Sequence, residues 1–219
     1  MHKGLVTAAS ALLLLAATGC GQLGGRCEDC APAEGTGGTG SATLDAKPIP
    51  QGELVVGYLP TWGAKLSNYA SPAILSRLTH VAIAFVTVDA TGVYFKDPND
   101  VRAFINVAHQ HDVKVLMSIG GAAESDLVAE AAATDLPGLV AKMMKVVDDL
   151  DFDGIDVDIE GGAVDHTYAP LVAALNTEIR ARGMVLSSGV GNWFEQRIEQ
   201  SALNLFDFVS VMALSLIHI

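Results

Sequence analysis

The chain has 219 residues, of which half are hydrophobic and 17% are charged, and its formal net charge is −12. This hydrophobic fraction supports a folded domain and excludes a disordered acidic tail. The acidic balance argues against nucleic acid as a partner, because binding to phosphates requires clustered Lys and Arg side chains. It is compatible with an uncharged polymer as the substrate.

The first 19 residues have the composition of a signal peptide. Lys3 supplies a short positive start, and residues 5–16 form an apolar run too short to span a bilayer. The run ends in Ala-Thr-Gly-Cys, which resembles the processing box of bacterial lipoproteins, with Cys20 as the acylated residue. Ala17 departs from the Leu preferred at the first box position, so ordinary cleavage and secretion are the alternative. We therefore predict a lipid-anchored protein of the bacterial cell envelope, attached to the membrane through the anchor only.

Residues 20–52 have the composition of a flexible linker. Eight Gly and three Pro fall within residues 21–52, a content typical of tethers. Cys27 and Cys30 form an isolated Cys-x-x-Cys, whereas a redox motif would follow a strand and a zinc site would need two further ligands. We favour a small disulfide between these two cysteines, which suits an oxidising compartment.

From residue 53 onward, strand and helix patterns alternate. Apolar runs typical of strands cover residues 54–58, 81–86, 113–119, 154–160, 185–190 and 206–213. Between them, Ser71 precedes Pro72 as an N-cap with proline at the first helical position. Residues 168–182 carry apolar side chains at helical spacing, and Gly183 follows as a helix stop. Such alternation predicts a parallel sheet covered by helices.

The fourth predicted strand contains the most informative stretch, Asp-Gly-Ile-Asp-Val-Asp-Ile-Glu at residues 153–160. Side chains alternate along a strand, so Asp156, Asp158 and Glu160 share one face and the β-branched residues share the other. Like charges about 6.5 Å apart cannot all ionise freely in a partly buried site, so at least one carboxyl holds its proton. A carboxyl that is protonated near neutral pH is suited to general acid catalysis. A solvated acidic edge strand is disfavoured, because the purely β-branched opposite face needs a cover.

These residues resemble the Asp-x-x-Asp-x-Asp-x-Glu signature of glycoside hydrolase family 18. Four elements match in the family's order and spacing: the octet (Asp153, Asp156, Asp158, Glu160), a Ser-x-Gly-Gly strand (Ser118, Gly120, Gly121), Gly57-Tyr58 with Trp62, and Ala84-Phe85. The resemblance covers residues 53–213.

Two α/β architectures fit the order of elements, an open doubly wound sheet and a (β/α)8 barrel. No Gly-x-Gly-x-x-Gly turn follows the first strand, so the dinucleotide-binding open sheet lacks support. In a barrel, residues at the C-terminal ends of the strands point into the site. Five candidates lie at such ends: Tyr58, Phe85, Ser118, Glu160 and Met212. This convergence and the resemblance predict a (β/α)8 TIM barrel over residues 53–213, incomplete here with about six strands.

The resemblance implies a retaining, substrate-assisted mechanism, in which the sugar's own N-acetyl group attacks the anomeric carbon. Glu160 is then the general acid and afterwards the general base. Asp158 orients the acetamido nitrogen and stabilises the oxazolinium-like intermediate. Asp156 shares a proton or a hydrogen bond with Asp158, and Asp153 is structural, holding the start of the strand.

The resemblance also implies sugar contacts. Tyr58 and Phe85 form the floor of the pocket and Met212 contacts the same sugar, although core packing explains each of them equally well. Ser118 either hydrogen-bonds the inner carboxylates or satisfies the local backbone. Four histidines without metal-ligand spacing are interpreted as structural or solvent-facing: His80, His109, His111 and His166. We expect no metal and no cofactor.

The predicted substrate is a β-1,4-linked N-acetylglucosamine polymer or oligosaccharide, as in chitin. One alternative is an endo-β-N-acetylglucosaminidase that cleaves the chitobiose core of N-glycans. The other is a non-catalytic carbohydrate-binding barrel, which is disfavoured because such relatives lose the acidic residue that Glu160 provides here. We expect the complete protein to be a monomer.

The C-terminus interrupts a family motif. Met212-Ala213 match the start of Met-x-Tyr-Asp, but Leu214 stands where the motif has Tyr. Residues 214–219, Leu-Ser-Leu-Ile-His-Ile, are what a transposase mosaic-end adapter of sequencing libraries encodes, so we interpret them as adapter read-through; a natural hydrophobic tail is the alternative. We expect the gene to continue, and the polypeptide as written to be unstable and inactive, because an unclosed barrel exposes strand edges.

Overall fold

The computed structural model describes residues 52–191 and 195–212. The predictions for the signal peptide, for Cys20, for the linker with Cys27 and Cys30, and for the C-terminal hexapeptide lie outside these residues. Among the helices of the described ranges, none combines the length and the hydropathy of a membrane span.

A parallel sheet of six strands forms the centre of the fold. Within the described residues the strands are β1 (Val56–Pro60), β2 (His80–Ala84), β3 (Thr87–Asp89), β4 (Gly92–Tyr94), β5 (Lys114–Gly120), β6 (Gly154–Asp158), β7 (Val185–Gly191) and β8 (Phe208–Met212). The parallel sheet has the order β1-β2-β5-β6-β7-β8, and β3 pairs with β4 in a separate antiparallel hairpin. A doubly wound sheet would reverse its strand order at a switch point. The strictly sequential order is that of a barrel wall, so the prediction of a partial TIM barrel is confirmed.

Helices connect successive strands of the sheet. In the described ranges they are α1 (Pro72–Leu75), α2 (Pro98–His109), α3 (Gly121–Leu150), α4 (Tyr168–Ala181) and α5 (Gln200–Leu203), with short 3-10 helices at Leu66–Tyr69, Gly161–Ala163 and Glu195–Arg197. The predicted start of α1 at Pro72 is confirmed, although the helix has only one turn. The predicted α4 is also confirmed, and Gly183 follows it with a φ of +67°.

Helix α3 consists of two segments that meet at Asp135. The backbone of Asp135 is extended (φ −153°, ψ 77°), and Pro137 lies two residues further on, where its ring is incompatible with an uninterrupted helix. The Asp135 carboxylate accepts a hydrogen bond from the Gly138 N–H at 3.0 Å and so caps the second segment. The first segment is thereby a short helix of its own, beginning directly at the end of β5.

Four of the predicted strands and one connection differ from the structure by two residues or more. Strand β1 lies two residues later than the predicted 54–58, and β8 begins two residues after position 206. Strand β2 ends at Ala84 rather than at residue 86, and β6 ends at Asp158 rather than at residue 160. The β3–β4 hairpin is absent from the predicted elements, because three-residue strands are too short to show a period. Its turn is held by the Asp89 carboxylate, which accepts a hydrogen bond from the Thr91 N–H at 2.7 Å.

The two faces of the sheet bury different side chains. The outer face packs on the helices through fully buried residues such as Ile155 and Val157 of β6. The inner face carries a small apolar cluster at its lower end, formed by Val56, Leu116 and Phe208. Above this cluster the inner side chains become polar, and there the carboxylates of β6 lie.

Candidate active site

Three acidic side chains follow β6 from the buried interior toward solvent. Asp156 is 1% exposed and Asp158 is 4% exposed, whereas Glu160 is half-buried. The alternation of the strand sends all three to the inner face, and the β-branched residues between them pack on the helix layer. The row therefore passes from a fully desolvated carboxyl to one that a ligand can reach.

Asp156, the innermost carboxyl, is surrounded by hydroxyl donors from the two neighbouring strands β5 and β7 and from β1. The hydroxyls of Ser118 and Ser187 donate to it at 2.8 and 2.6 Å, and the Tyr58 hydroxyl donates at 3.3 Å. Ser118 and Ser187 lie directly beside Asp156 in the register of the sheet. Burial raises the pKa of Asp156, while these three hydrogen bonds act in the opposite direction.

Asp158 is the most strongly perturbed carboxyl of the row. Burial, followed by the charges of Asp156 and Glu160, raises its pKa from 3.8 to about 8. Its Oδ1 atom is buried and has no hydrogen-bond partner among the described residues. Gly189 of β7 leaves room for it, since a Cβ atom there would lie 3.0 Å from Asp158 Oδ1. Asp158 therefore keeps its proton to a much higher pH than an exposed Asp does, and one of its buried carboxyl oxygens has no partner among the described residues.

Glu160 lies beyond the end of the strand. The β5–β6 register ends with the pair Gly120 and Asp158, so the main chain of Glu160 is outside the ladder. Its N–H donates instead to the Ser125 hydroxyl of α3 at 3.0 Å. Burial raises the pKa of the Glu160 carboxyl, so that it keeps its proton to a higher pH than an exposed Glu does.

Two glycines at the end of β5 allow this close packing. Gly120 and Gly121 have φ values of +102° and +71°, which L side chains rarely adopt. A Cβ atom on Gly120 would overlap the Asp158 carbonyl, and one on Gly121 would overlap the Phe85 ring. The glycine pair thus lets β6 approach from one side and the aromatic ring from the other.

An open cleft lies beside the Phe85 ring. The Trp62 and Phe85 rings stack with a centroid separation of 6.1 Å and an interplanar angle of 20°. Trp62 is 64% exposed, and the two rings line a cavity of about 360 Å³ together with Lys65, Asp97 and Glu124. A flat, solvent-facing aromatic surface with charged neighbours suits the binding of a ligand that has both apolar and polar faces.

The other predicted positions lie at the two ends of the barrel wall. Met212 ends β8 and is partly buried. Asp153 precedes β6 at the opposite end, where its carboxylate accepts a hydrogen bond from the Val115 N–H at 2.7 Å and contacts His109 Nε2 at 2.9 Å. It is remote from Glu160 along the strand. Within the described ranges, no group of three or more His, Cys, Asp or Glu residues is arranged to hold a metal ion.

Sequence reasoning did not single out four residues of this site. Ser187 and Ser210 are buried on the inner faces of β7 and β8, and Ser125 and Gly189 contact Glu160 and Asp158 as described above. The two strand serines interrupt apolar runs, and that was a usable signal. Neither Ser125 nor Gly189 has such a signal in the sequence around it, because the importance of each depends on which distant residue packs against it.

Comparisons with solved structures identify barrels of the same type. The GH18 chitinase ChiB of Flavobacterium johnsoniae is 27% identical with a TM-score of 0.64, and the match covers 73% of this chain and 53% of that one. A mutant GH18 chitinase of Cycas revoluta, solved in complex with (GlcNAc)4, is 22% identical with a TM-score of 0.61, covering 73% of this chain and 55% of that one. A mutant of catalytic domain 2 of the Ostrinia furnacalis Group II chitinase, solved in complex with penta-N-acetylchitooctaose, is 21% identical with a TM-score of 0.61, covering 73% and 50%. The last two show the fold alone.

The chain spans about half the length of these solved structures. A search of curated protein sequences gave no match. The family model described as Glycosyl hydrolases family 18 matches residues 54–217, which is most of the chain. The octet, the glycine pair and the barrel wall thus lie within one matched domain, and the chain belongs to family 18 of the glycosyl hydrolases.

Proposed function

We propose that the complete protein hydrolyses β-1,4-linked N-acetylglucosamine chains, as in chitin, with Glu160 as the general acid and base. The observation that carries this proposal is the graded row of carboxyls on β6, in which a protonated, desolvated Asp158 stands directly behind a solvent-accessible Glu160. Solved chitinases of the same fold contain N-acetylglucosamine oligomers, and this supports the choice of substrate.

Glu160 donates its proton to the leaving oxygen of the scissile bond. Its raised pKa supports this step, because a general acid has to be protonated at the working pH. After the leaving sugar departs, the ionised Glu160 removes a proton from water, and that water completes the hydrolysis. One carboxyl thus serves both half-reactions.

The nucleophile is the acetamido oxygen of the substrate. A carboxyl with a pKa of about 8, such as Asp158, is protonated at neutral pH and cannot attack an anomeric carbon. Substrate assistance removes the need for an enzyme nucleophile. In this proposal Asp158, whose buried Oδ1 atom has no partner among the described residues, accepts the acetamido N–H and so orients that group. Asp156, held by three hydroxyls, shares a proton or a hydrogen bond with Asp158 and so tunes its protonation.

Aromatic side chains and Met212 complete the sugar site in this proposal. Tyr58 lies in the middle of β1 rather than at its predicted end, with its hydroxyl beside Asp156, and Phe85 directly follows β2. Both form the floor of the site in this proposal, and Met212 at the end of β8 contacts the same sugar. The Trp62 ring extends the aromatic surface outward from Phe85. Stacking of sugar faces on such rings provides affinity without a requirement for charge, in keeping with a neutral substrate.

The test compares wild type with Glu160→Gln in the complete gene product, using (GlcNAc)4 as the substrate. We expect kcat/KM to fall at least about 100-fold, the usual contribution of a general acid. Glu178→Gln is the matched control, because Glu178 lies on the surface of α4 and pairs with Arg182. An oligomer in which the acetamido groups are replaced by free amines should resist cleavage. Full activity of Glu160→Gln, or equal cleavage of the deacetylated oligomer, would refute the proposal.

A further inference from the structure

Among the described residues, the main chain that carries Glu160 is held by one side chain and one long backbone hydrogen bond. On one side β6 pairs with β5 only as far as Asp158, and on the other side it pairs with β7 only as far as Val157. Ile159 and Glu160 therefore extend past both ladders. The Glu160 carbonyl accepts a long hydrogen bond of 3.3 Å from the Ala163 N–H in the following 3-10 turn. The direction of the Glu160 Cα–Cβ bond therefore depends on the group that accepts the hydrogen bond from the Glu160 N–H.

The Ser125 hydroxyl holds that N–H and is itself anchored. Ser125 lies in the first segment of α3 and is 3% exposed. Its Oγ atom accepts from the Glu160 N–H at 3.0 Å and donates to the Gly121 carbonyl at 2.7 Å, so the single hydroxyl proton and one lone pair are both used. The hydroxyl is therefore a bridge between the start of α3 and the residue that carries the acid.

The packing around the bridge requires a glycine at position 120. A Cβ atom on Gly120 would lie 3.2 Å from Ser125 Oγ and would overlap the Asp158 carbonyl. The absence of a side chain on Gly120 thus makes room for both the hydroxyl and the strand. The bridge connects the glycine pair at the end of β5 with the acid at the end of β6.

We propose that Ser125 is a positioning residue for catalysis, which fixes the main chain of Glu160 and thereby aims its carboxyl at the scissile oxygen. This inference rests on the proposed function. A displacement of about 1 Å of a reacting group can lower the rate about 100-fold without a change in substrate binding. The loss of the bridge therefore lowers kcat and leaves KM nearly unchanged.

The experiment measures kcat and KM of the complete protein for (GlcNAc)4 in wild type, Ser125→Ala and Ser125→Cys. We expect kcat to fall about 10-fold or more in Ser125→Ala, with KM within about 2-fold. Ser125→Cys keeps nearly the same volume but replaces the hydroxyl with a weakly hydrogen-bonding thiol, so its kcat should also fall. If Ser125→Ala does not fold, the kcat of Ser125→Cys tests the inference.

Ser188→Ala is the matched control. Ser188 is a fully buried serine of β7. Its hydroxyl donates at 2.7 Å to the Val157 carbonyl of β6, the strand that leads to Glu160, but it does so on the face of the sheet that the helices cover. Its removal should lower the melting temperature and leave kcat of the folded protein within about 2-fold. A folded Ser125→Ala or Ser125→Cys variant with wild-type kcat would overturn the inference. Absence of hydrolysis by wild type would instead overturn the proposed function.

Discussion

The raised pKa of Asp158 predicts an unusual dependence of stability on pH. In the folded protein this carboxyl has a pKa of about 8, against 3.8 for an unperturbed Asp. Between these two values the folded state keeps a proton that the unfolded state releases, so stability falls as the pH rises toward 8. Two pH units separate pH 6 from the folded pKa, and each is equivalent to about 1.4 kcal/mol. The group alone then removes about 3 kcal/mol of stability between pH 6 and pH 9.

Asp158→Asn removes this titration. We expect wild type to lose about 3 kcal/mol more stability than the variant between pH 6 and pH 9, which corresponds to about 6–12 °C in melting temperature for a domain of this size. Thermal unfolding of the complete protein at the two pH values measures the difference. Any loss of stability caused by the introduced amide itself is the same at both pH values. It cancels, because the stability of each protein at pH 9 is compared with its own stability at pH 6.

Asp165→Asn is the control for this experiment. Hydrogen bonds from the Thr167 hydroxyl and N–H lower the pKa of Asp165, so it stays ionised from pH 6 to pH 9. Its substitution should shift both melting temperatures equally. If Asp158→Asn loses as much stability as wild type over this range, then Asp158 does not hold a proton near neutral pH, and the argument against Asp158 as a nucleophile fails.

Two glycines give further predictions. Gly121→Ala has to place a side chain at a φ of +71° and against the Phe85 ring, so urea unfolding should show a loss of at least about 1–2 kcal/mol; unchanged stability would show that the ring moves away freely. Gly189→Ala places a Cβ atom 3.0 Å from Asp158 Oδ1 and should lower kcat about 10-fold by displacing that carboxyl, with a smaller effect on stability. A wild-type kcat in Gly189→Ala would mean that the position of Asp158 is not critical.

Much of the fold was predictable because its signals are local. The alternation of apolar strands with helices, the Ser71-Pro72 start and the helix from Tyr168 depend on residues within a few positions of one another. The octet predicted a two-faced strand for the same reason, and the burial of its β-branched face agrees with that prediction.

The parts that could not be predicted depend on partners distant in the sequence. Ser187 interrupts an apolar run, but the residues near it do not identify Asp156, 31 positions away, as the partner of its hydroxyl. The strand was expected to include Glu160, but β6 ends two residues earlier, because a hydroxyl of α3 replaces the sheet as the partner of the Glu160 N–H. The β3–β4 hairpin depends on one turn, which the Asp89 carboxylate holds, and not on an alternation of apolar and polar residues in the sequence. In each case a contact across the fold decides the local structure.

Strand β6 is secured by neighbours at both ends. Below it the Asp153 carboxylate binds the Val115 N–H, and above it the Ser125 hydroxyl binds the Glu160 N–H. The Glu160 carboxyl thus lies between a strand of the sheet and helix α3, whereas the hairpin and Trp62 that border the cleft belong to the connections that follow β1 and β2. If the proposed function holds, changes in the length or sequence of these connections should alter which sugar chains bind and leave the position of Glu160 unchanged.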